Sequence, residues 1–170
     1  MKVEAIKTKI VKPGDNLLTV LDQSIETLEE GSVVVITSKI ISICQNAIVS
    51  SCVVDKESLI FSESDRIFVK KSPCGMHLTI KDGILIANAG IDESNGNGNY
   101  ILWPREIEKT MRQVLAHLRT RFQIEKIGVV VTDSKTTPLR RGTTGVGIAF
   151  DGSLPRYFRL VSVVDRTTKY

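Results

Sequence analysis

Aromatic residues are scarce in this chain of 170 residues, at 5% of the total, and the basic residues are scattered rather than clustered. Proteins that bind single-stranded nucleic acid stack the bases on aromatic side chains along a basic groove, so this composition argues against a nucleic-acid partner. The net charge of +4 is equally compatible with anionic small molecules as ligands.

Cysteines are few, and none are arranged in a CxxC motif. Cys44, Cys52 and Cys74 are odd in number and widely spaced. A disulfide framework uses an even number of cysteines and a structural zinc site uses closely spaced ones, so this pattern argues against both. We expect three reduced thiols, partly buried among apolar side chains.

Long hydrophobic runs are absent from the beginning of the chain. The segment MKVEAIKTKIVKPGD has a charge every few positions and contains no apolar stretch of signal-peptide or membrane-span length. We therefore expect a cytoplasmic protein with no membrane partner. A hydrophobic content of 42% is ordinary for a globular domain of this length, so residues 1–170 are predicted to form a single domain.

The periodicity of the apolar residues predicts both strands and helices. The predicted elements are a strand at Val3–Ile10, a helix with apolar positions from Leu17 to Leu28 that stops at Gly31, buried strands at Ser32–Ile36 and Ile127–Val131, short strands near Ile67–Val69 and Leu160–Val164, and a helix from Pro104 to Phe122. The short β runs do not keep the rhythm of a doubly wound parallel sheet. The predicted fold class is α+β, with a mixed β-sheet and packed helices.

Two carboxylates follow apolar runs at corresponding places in the pattern. Asp92 comes after the run that begins at Ile84, and Asp133 comes after Ile127–Val131. Magnesium and manganese commonly use one or two protein carboxylates and complete their coordination with water and substrate oxygens, so Asp92 and Asp133 suit such a metal. The alternative is that each aspartate caps a turn, a position where aspartate is common anyway. Both interpretations stay open on the sequence pattern.

The segment RRGTTGVG, Arg140–Gly147, combines two guanidinium groups, two hydroxyls and three glycines. Such a segment can present charge and exposed N–H groups to an anion. It is neither a Walker loop nor a dinucleotide fingerprint, because the order of its residues differs from both. A glycine-rich hairpin turn is the alternative interpretation and is favoured before other observations.

Several motifs together resemble the coenzyme F-420-0:gamma-glutamyl ligase family. They are VKPGDNL near the start, VVVITSKIIS, ANAGIDESN, the helix after LWP, and VVVTDS followed by RRG. The resemblance implies an intertwined, dimeric α/β fold. It also implies an enzyme that uses GTP and Mg or Mn to join L-glutamate to a carboxylate of the coenzyme F-420 precursor, an anionic acceptor. A related acceptor such as a folate is also compatible with it.

The resemblance assigns roles to individual residues by motif. It implies that Asp92 and Asp133 are catalytic metal ligands, that Ser134 approaches a second metal, and that Ser38, Lys39, Asn95 and the loop Lys9, Ile10 and Val11 contact the nucleotide. Arg140 and Arg141, close to the second metal motif, are candidates for contacting phosphates or an anionic substrate.

Two departures from the family pattern lead to further expectations. Ile43 stands near the position where the family usually has a lysine, so we expect weaker binding of guanine nucleotide. The family also continues beyond the position of Tyr170, and the chain is expected to lack that C-terminal part. The alternative function is therefore a non-catalytic relative that binds nucleotide or metal, or that serves as an oligomeric scaffold.

Overall fold

The computed structural model describes residues 2–73, 75–94, 96–135, 141–153 and 159–164, the last of these as backbone. The elements in these ranges are β1 (Lys2–Lys7), α1 (Leu17–Ser24), β2 (Ser32–Thr37), α2 (Ser38–Cys44), β3 (Ile48–Ser50), α3 (Lys56–Glu63), β4 (Arg66–Val69), β5 (Leu78–Lys81), β6 (Ile84–Ala87), β7 (Asn99–Ile101), α4 (Ile107–Phe122), β8 (Gly128–Lys135), β9 (Thr144–Gly152) and β10 (Arg159–Val164).

The strands form three sheets. The largest has five strands in the order β1-β10-β2-β8-β9, in which the first four are parallel and β9 is antiparallel to β8. A second sheet pairs β3 with β7, and a third contains β4, β5 and β6 in antiparallel order. The predicted α+β class with a mixed sheet is therefore confirmed. Continuous apolar runs in β2 and β8 are typical of strands covered on both faces.

The helices α1, α2 and α4 cover one face of the five-stranded sheet. Their apolar side chains pack with alternate residues of the two central strands, and the buried residues of this cluster include Leu21, Ile25, Val34, Ile36, Ile40, Ile41, Val114, Leu118, Val129 and Val131. The spacing of apolar positions on α4 matches one helix face, as the sequence predicted. A smaller cluster lies beneath α3 and includes Leu59, Ile60, Ala89 and Leu102.

Several predicted boundaries were wrong. The first strand ends at Lys7, because its pairing with β10 ends there. The first helix ends at Ser24, well before the predicted stop at Gly31. Ile25 and Leu28 are nevertheless buried. They follow the helix, which ends at Ser24, although their spacing in the sequence resembles that of a helix face. The long helix begins at Ile107, after Glu106 in a left-handed conformation, and not at Pro104.

The strand that contains Asp133 also extends further than predicted. The apolar run stops at Val131, and the sequence placed Asp133 after the strand, whereas β8 continues to Lys135. Pairing with β2 ends at Thr132, but pairing with β9 continues to the end of β8. A polar strand end was mistaken for a turn because the sequence does not show that β9 pairs with this part of β8.

The remaining cysteine and membrane expectations concern only part of the chain. Cys44 and Cys52 are free thiols, and Cys44 is partly buried as expected, whereas Cys52 is exposed. Burial raises the pKa of the Cys44 thiol to about 11. Cys74 lies outside the described residues. In the part of the chain that the structure describes, no helix is long and apolar enough to cross a membrane.

Candidate functional site

Asp92 and Asp133 line the same small cleft, as the sequence predicted. The other lining residues are Ser38, Lys39, Ser42, Gly90, Ile101, Leu102, Trp103 and Pro104. The volume of this carboxylate cleft is about 10 Å³, close to the minimum that holds one water molecule. It is therefore narrow in the absence of ligands, and both carboxylates line it.

The central strands explain the position of Asp133. In the parallel pair β2 and β8, Thr37 lies opposite Thr132, so α2 begins beside the next residue of β8. Ser38, the first residue of α2, therefore lines the cleft together with Asp133. The register between β8 and β9 shifts between Val131 and Thr132. The extra residue of this bulge is Ile148 of β9, so the bulge bends β9 and not β8.

Asp92 is positioned by a left-handed turn. Asn88, Ala89 and Gly90, which directly follow β6, have φ values of 52°, 54° and 71°. Asparagine and glycine adopt this region readily, whereas for alanine it costs about 1–2 kcal/mol. After the turn, Asp92 pairs by its backbone with Ile101 in an isolated bridge. The turn thus lies between β6 and β7, which belong to different sheets, and Asp92 lines the cleft.

Buried contacts hold this turn in place. The hydroxyl of Thr79, a fully buried residue, donates to the Ile86 carbonyl oxygen at 2.7 Å and accepts from the Ala89 N–H at 2.8 Å. The Trp103 ring lies so close to Gly90 that a Cβ at that position would overlap it. The strained conformation is therefore maintained by packing and hydrogen bonds of the surrounding structure.

Lys39 neutralises one of the two carboxylates. Its Nζ lies 2.6 Å from Asp92 Oδ2 and donates to Ser94 Oγ at 2.8 Å. Burial raises the pKa of Asp92, but hydrogen bonds from Lys39 and Ser94 and the charge of Lys39 outweigh burial and hold that pKa below its ordinary value. The neighbouring Glu93 forms an ion pair with Lys56 instead and does not line the cleft.

Asp133 is compensated less completely, because burial outweighs the lowering effect of the Lys39 charge on its pKa. Burial raises the pKa of its carboxyl, and repulsion from Asp92 raises it further, although hydrogen bonds from the Ser134 N–H and from Ser38 act in the opposite direction. The cleft therefore holds a carboxylate that is costly to ionise in the absence of a further cation. This electrostatic imbalance distinguishes the cleft from an ordinary ion pair.

The donor set of the cleft fits a hard divalent cation. Besides the two carboxylates, the cleft lining includes Ser42. This residue is 1% exposed, and its hydroxyl has no hydrogen-bond partner among the described residues. The described part of the chain contains no cluster of three or more His, Cys, Asp or Glu side chains suited to a metal. A cation here would rely on Asp92 and Asp133, with water and substrate oxygens as its other ligands.

The loop Lys9–Val11, predicted to contact a nucleotide, borders a larger cavity. This cavity has a volume of about 420 Å³ and is lined by Ile10, Val11, Lys12, Pro13, Ile43, Ile48, Gly96, Asn97, Asn99 and Ile101. Lys9 lines a separate cavity of about 90 Å³. Because Ile101 lines both the larger cavity and the carboxylate cleft, the two spaces are neighbours.

The structure does not bring every predicted site residue into the cleft. Ser134 is exposed, and its backbone N–H donates to Asp133 Oδ1 at 2.6 Å; its side chain does not line the cleft. Arg141 is exposed beside Gly142. Asn95 and Arg140 lie outside the described residues. The roles assigned to these four residues stay predictions.

The glycine-rich segment after Arg141 is part of a β-hairpin. Gly145 and Gly147 lie in β9, opposite Ser134 and Thr132 of β8. The hairpin interpretation therefore describes this segment, and Gly145 and Gly147 are not arranged as an anion-binding loop at a helix N-terminus. Residues 136–140, which complete the connection, lie outside the described ranges.

Three residues at the site were missed from the sequence. Ser42 lies four residues after Ser38 on α2, so helical spacing places both on one face and offered a usable signal. Thr79 and Trp103 act through contacts between distant segments, with Ile86 and Ala89 for the threonine and Gly90 for the tryptophan. No local pattern in the sequence indicates those contacts.

Fold and cleft together define an α+β protein with a two-carboxylate site beside the ends of its central parallel strands. A family model described as F420-0:Gamma-glutamyl ligase matches residues 5–162. The chain therefore belongs to the F420-0:gamma-glutamyl ligase family, as its motifs indicated.

Individual relatives agree with this family. The chain is 29% identical over 160 residues to a coenzyme F420:L-glutamate ligase of Methanopyrus kandleri, with 84% of this chain and 62% of that protein covered. It is 27% identical over 168 residues to the protein of the same name from Methanosarcina mazei, with 87% and 65% covered. The match therefore spans less than two thirds of the length of either relative.

Proposed function

We propose that this chain carries the metal and nucleotide site of a gamma-glutamyl ligase. The reaction joins L-glutamate, through an amide bond, to a carboxylate of the coenzyme F420 precursor or of a related acceptor such as a folate. The family and the names of the relatives support the ligase class. The convergence of Asp92 and Asp133 on one cleft is the observation that carries the proposal.

Mg or Mn would be held by Asp92 and Asp133, and when bound it would neutralise charge on the phosphoryl group that is transferred. Lys39 already contacts Asp92 and Ser94 at the cleft, so its ammonium group is placed to attract phosphate oxygens. The incompletely compensated charge of Asp133, whose pKa is raised by burial, favours the arrival of a cation. In the proposed site the cation and Lys39 would bind and orient the phosphates of the co-substrate, and the two aspartates would hold the cation.

GTP is the proposed co-substrate, and the 420 Å³ cavity beside the cleft is its proposed location. A volume in this range suits a small-molecule ligand. In the proposed reaction an oxygen of the acceptor carboxylate attacks the terminal phosphorus of GTP, and GDP leaves. The glutamate nitrogen then attacks the resulting acyl phosphate, phosphate leaves, and the nitrogen loses a proton as the amide forms.

The alternative function is nucleotide and metal binding without catalysis. The observation in its favour is Ile43, a buried apolar residue that lines the cavity proposed for GTP. A loss of one charge-assisted contact to a phosphate costs about 1.5–3 kcal/mol, which is roughly tenfold or more in affinity. If the missing contact weakens binding, the Ile43→Lys variant should bind GTP more tightly than the wild type, as measured by calorimetry with Mg.

An assay with defined components separates the two functions. The chain is incubated with GTP, Mn²⁺, L-glutamate and the coenzyme F420 precursor, and the products are identified by mass spectrometry. Formation of GDP and of an acceptor heavier by one glutamate, absent from an Asp133→Asn control, is the result expected for the ligase. Binding of GTP and Mn²⁺ without either product would support the non-catalytic alternative.

Assembly as a homodimer is also part of the proposal. Among the described residues, Phe150 of the edge strand β9 is 66% exposed, and several other large apolar side chains are exposed as well. An edge strand and exposed apolar surface are both features that a partner chain covers. Light scattering at micromolar concentration should give the mass of a dimer, and a stable monomer would contradict this part.

A further inference from the structure

The hydroxyl of Ser42 is unusual for a serine inside a helix. Serines and threonines in helices often donate to a carbonyl oxygen one turn earlier, as Ser24 does to Val20 at 2.7 Å and Thr120 does to Ala116 at 3.0 Å. Ser42 Oγ has no hydrogen-bond partner among the described residues, although Ser42 is only 1% exposed. A buried hydroxyl in this state destabilises the metal-free protein.

The location of Ser42 indicates what its partner is. The residue lines the carboxylate cleft together with Asp92 and Asp133. It lies one helical turn after Ser38, which also lines the cleft, so the two serines share a face of α2. Both serines border the same space, and the hydroxyl of Ser42 has no hydrogen-bond partner among the described residues.

We infer that Ser42 is a further binding residue of the cation site: its Oγ contacts the bound divalent cation or accepts a hydrogen bond from a water molecule that the cation carries. This inference rests on the proposed function, because it requires a cation in the cleft. The bound state satisfies the hydroxyl that the metal-free state leaves without a partner. The same residue thus destabilises the free protein and stabilises the complex.

A second serine provides a matched control. Ser32 is also fully buried, and its Oγ likewise lacks a partner among the described residues. It begins β2, whereas the cleft lies beyond the other end of that strand, about 16 Å away at the usual rise per residue. Ser32→Ala therefore removes an equivalent hydroxyl without touching the cleft.

Mn²⁺ alone is the probe, with free ion measured by electron paramagnetic resonance and metal-free stability measured by thermal unfolding. The wild-type chain is compared with Ser42→Ala, with Ser32→Ala and with Asp133→Asn, which should lose the site. We expect Ser42→Ala to bind Mn²⁺ about tenfold more weakly, the usual cost of losing a contact that supports metal ligands. Its metal-free melting temperature should equal or exceed that of the wild type. Ser32→Ala should bind Mn²⁺ normally.

The possible failures are distinguishable. Equal Mn²⁺ affinity in Ser42→Ala and the wild type would overturn this inference and leave the proposed function standing. A lower metal-free melting temperature in Ser42→Ala would also overturn it, because the hydroxyl would then have a partner without metal. Absence of Mn²⁺ binding by the wild type would overturn the proposed metal site and the inference together.

Discussion

The two carboxylates of the cleft are held by different kinds of structure. Asp133 lies in β8, beside β2 and β9, the neighbours of that strand in the five-stranded sheet. Asp92 follows three residues with positive φ at the margin of the small sheet formed by β4, β5 and β6. Strand pairing with β9 holds Asp133, whereas a strained turn supported by side chains holds Asp92.

The difference extends to electrostatics. Lys39 and Ser94 compensate the charge of Asp92, so its pKa is lowered. The pKa of Asp133 is raised by burial and by repulsion from Asp92. One half of the site therefore carries conformational strain, and the other carries electrostatic strain. Such costs are typical of positions kept for binding rather than for stability.

Gly90→Ala should have the largest effect. The added Cβ would overlap the Trp103 ring, and φ at this position is positive. Overpacking and the left-handed conformation together should lower the free energy of unfolding by about 2–5 kcal/mol, as measured by urea denaturation. Mn²⁺ binding should weaken as well, since the turn that presents Asp92 must move.

A glycine in the other region serves as the control for that variant. A Cβ at Gly152 would overlap the Ile127 carbonyl oxygen, and this residue also has positive φ. Gly152→Ala should therefore destabilise by a similar amount. Its Mn²⁺ affinity should be normal under conditions in which it is folded; an equal loss of affinity in both variants would contradict the special role of the turn.

Thr79→Val should have the next largest effect. Valine has the shape of threonine but leaves the buried Ala89 N–H without the hydroxyl it donates to. The expected loss is about 1–3 kcal/mol in the free energy of unfolding, again from urea denaturation, with weaker Mn²⁺ binding. Thr79→Ser keeps the hydroxyl and should restore Mn²⁺ affinity; if it does not, the hydrogen bond is not what positions Asp92.

Replacing each aspartate by asparagine should change metal-free stability in opposite directions. At pH 7, Asp92→Asn should destabilise the protein slightly, within the range of about 0.2–1 kcal/mol typical of partly exposed ion pairs, because Asp92 is paired with Lys39. Asp133→Asn should stabilise it, because the raised pKa of Asp133 means that ionisation of this group opposes folding.

The pH dependence of these variants checks the sign. The stability from Asp92 is present above its ordinary pKa of 3.8 and is lost as the pH falls through its lower folded pKa. The penalty from Asp133 is present at neutral pH and is relieved as the pH falls through its raised folded pKa towards 3.8. The advantage of Asp133→Asn should therefore shrink on acidification in thermal unfolding, and a constant advantage would contradict this account.

The sequence predicted the regular region better than the strained one. The continuous apolar runs of β2 and β8 indicated buried strands of a mixed sheet, and the spacing after Ile107 indicated a helix. The place where each element ends was harder to predict, because pairing partners decide it: β9 extends β8 past Val131, and the pairing with β10 ends β1 at Lys7.

The candidate site was predictable in its charges but not in its supports. Asp92, Asp133, Ser38 and Lys39 stand in recognisable motifs, and the structure places all four on one cleft. The supporting contacts, such as Thr79 with Ala89, join segments whose proximity depends on the folded chain. Ser42 is intermediate, since helical spacing from Ser38 places it correctly but does not reveal that its hydroxyl lacks a partner.

Titration of the wild-type chain, Asp92→Asn and Asp133→Asn with Mn²⁺ under native conditions tests the central claim most directly. The claim is that the strained turn and the central sheet hold two halves of one cation site. It predicts saturable binding of a single ion by the wild type and loss of that binding in both variants, although Asp133→Asn is the more stable protein. Unchanged binding in either variant, or none in the wild type, would contradict the claim.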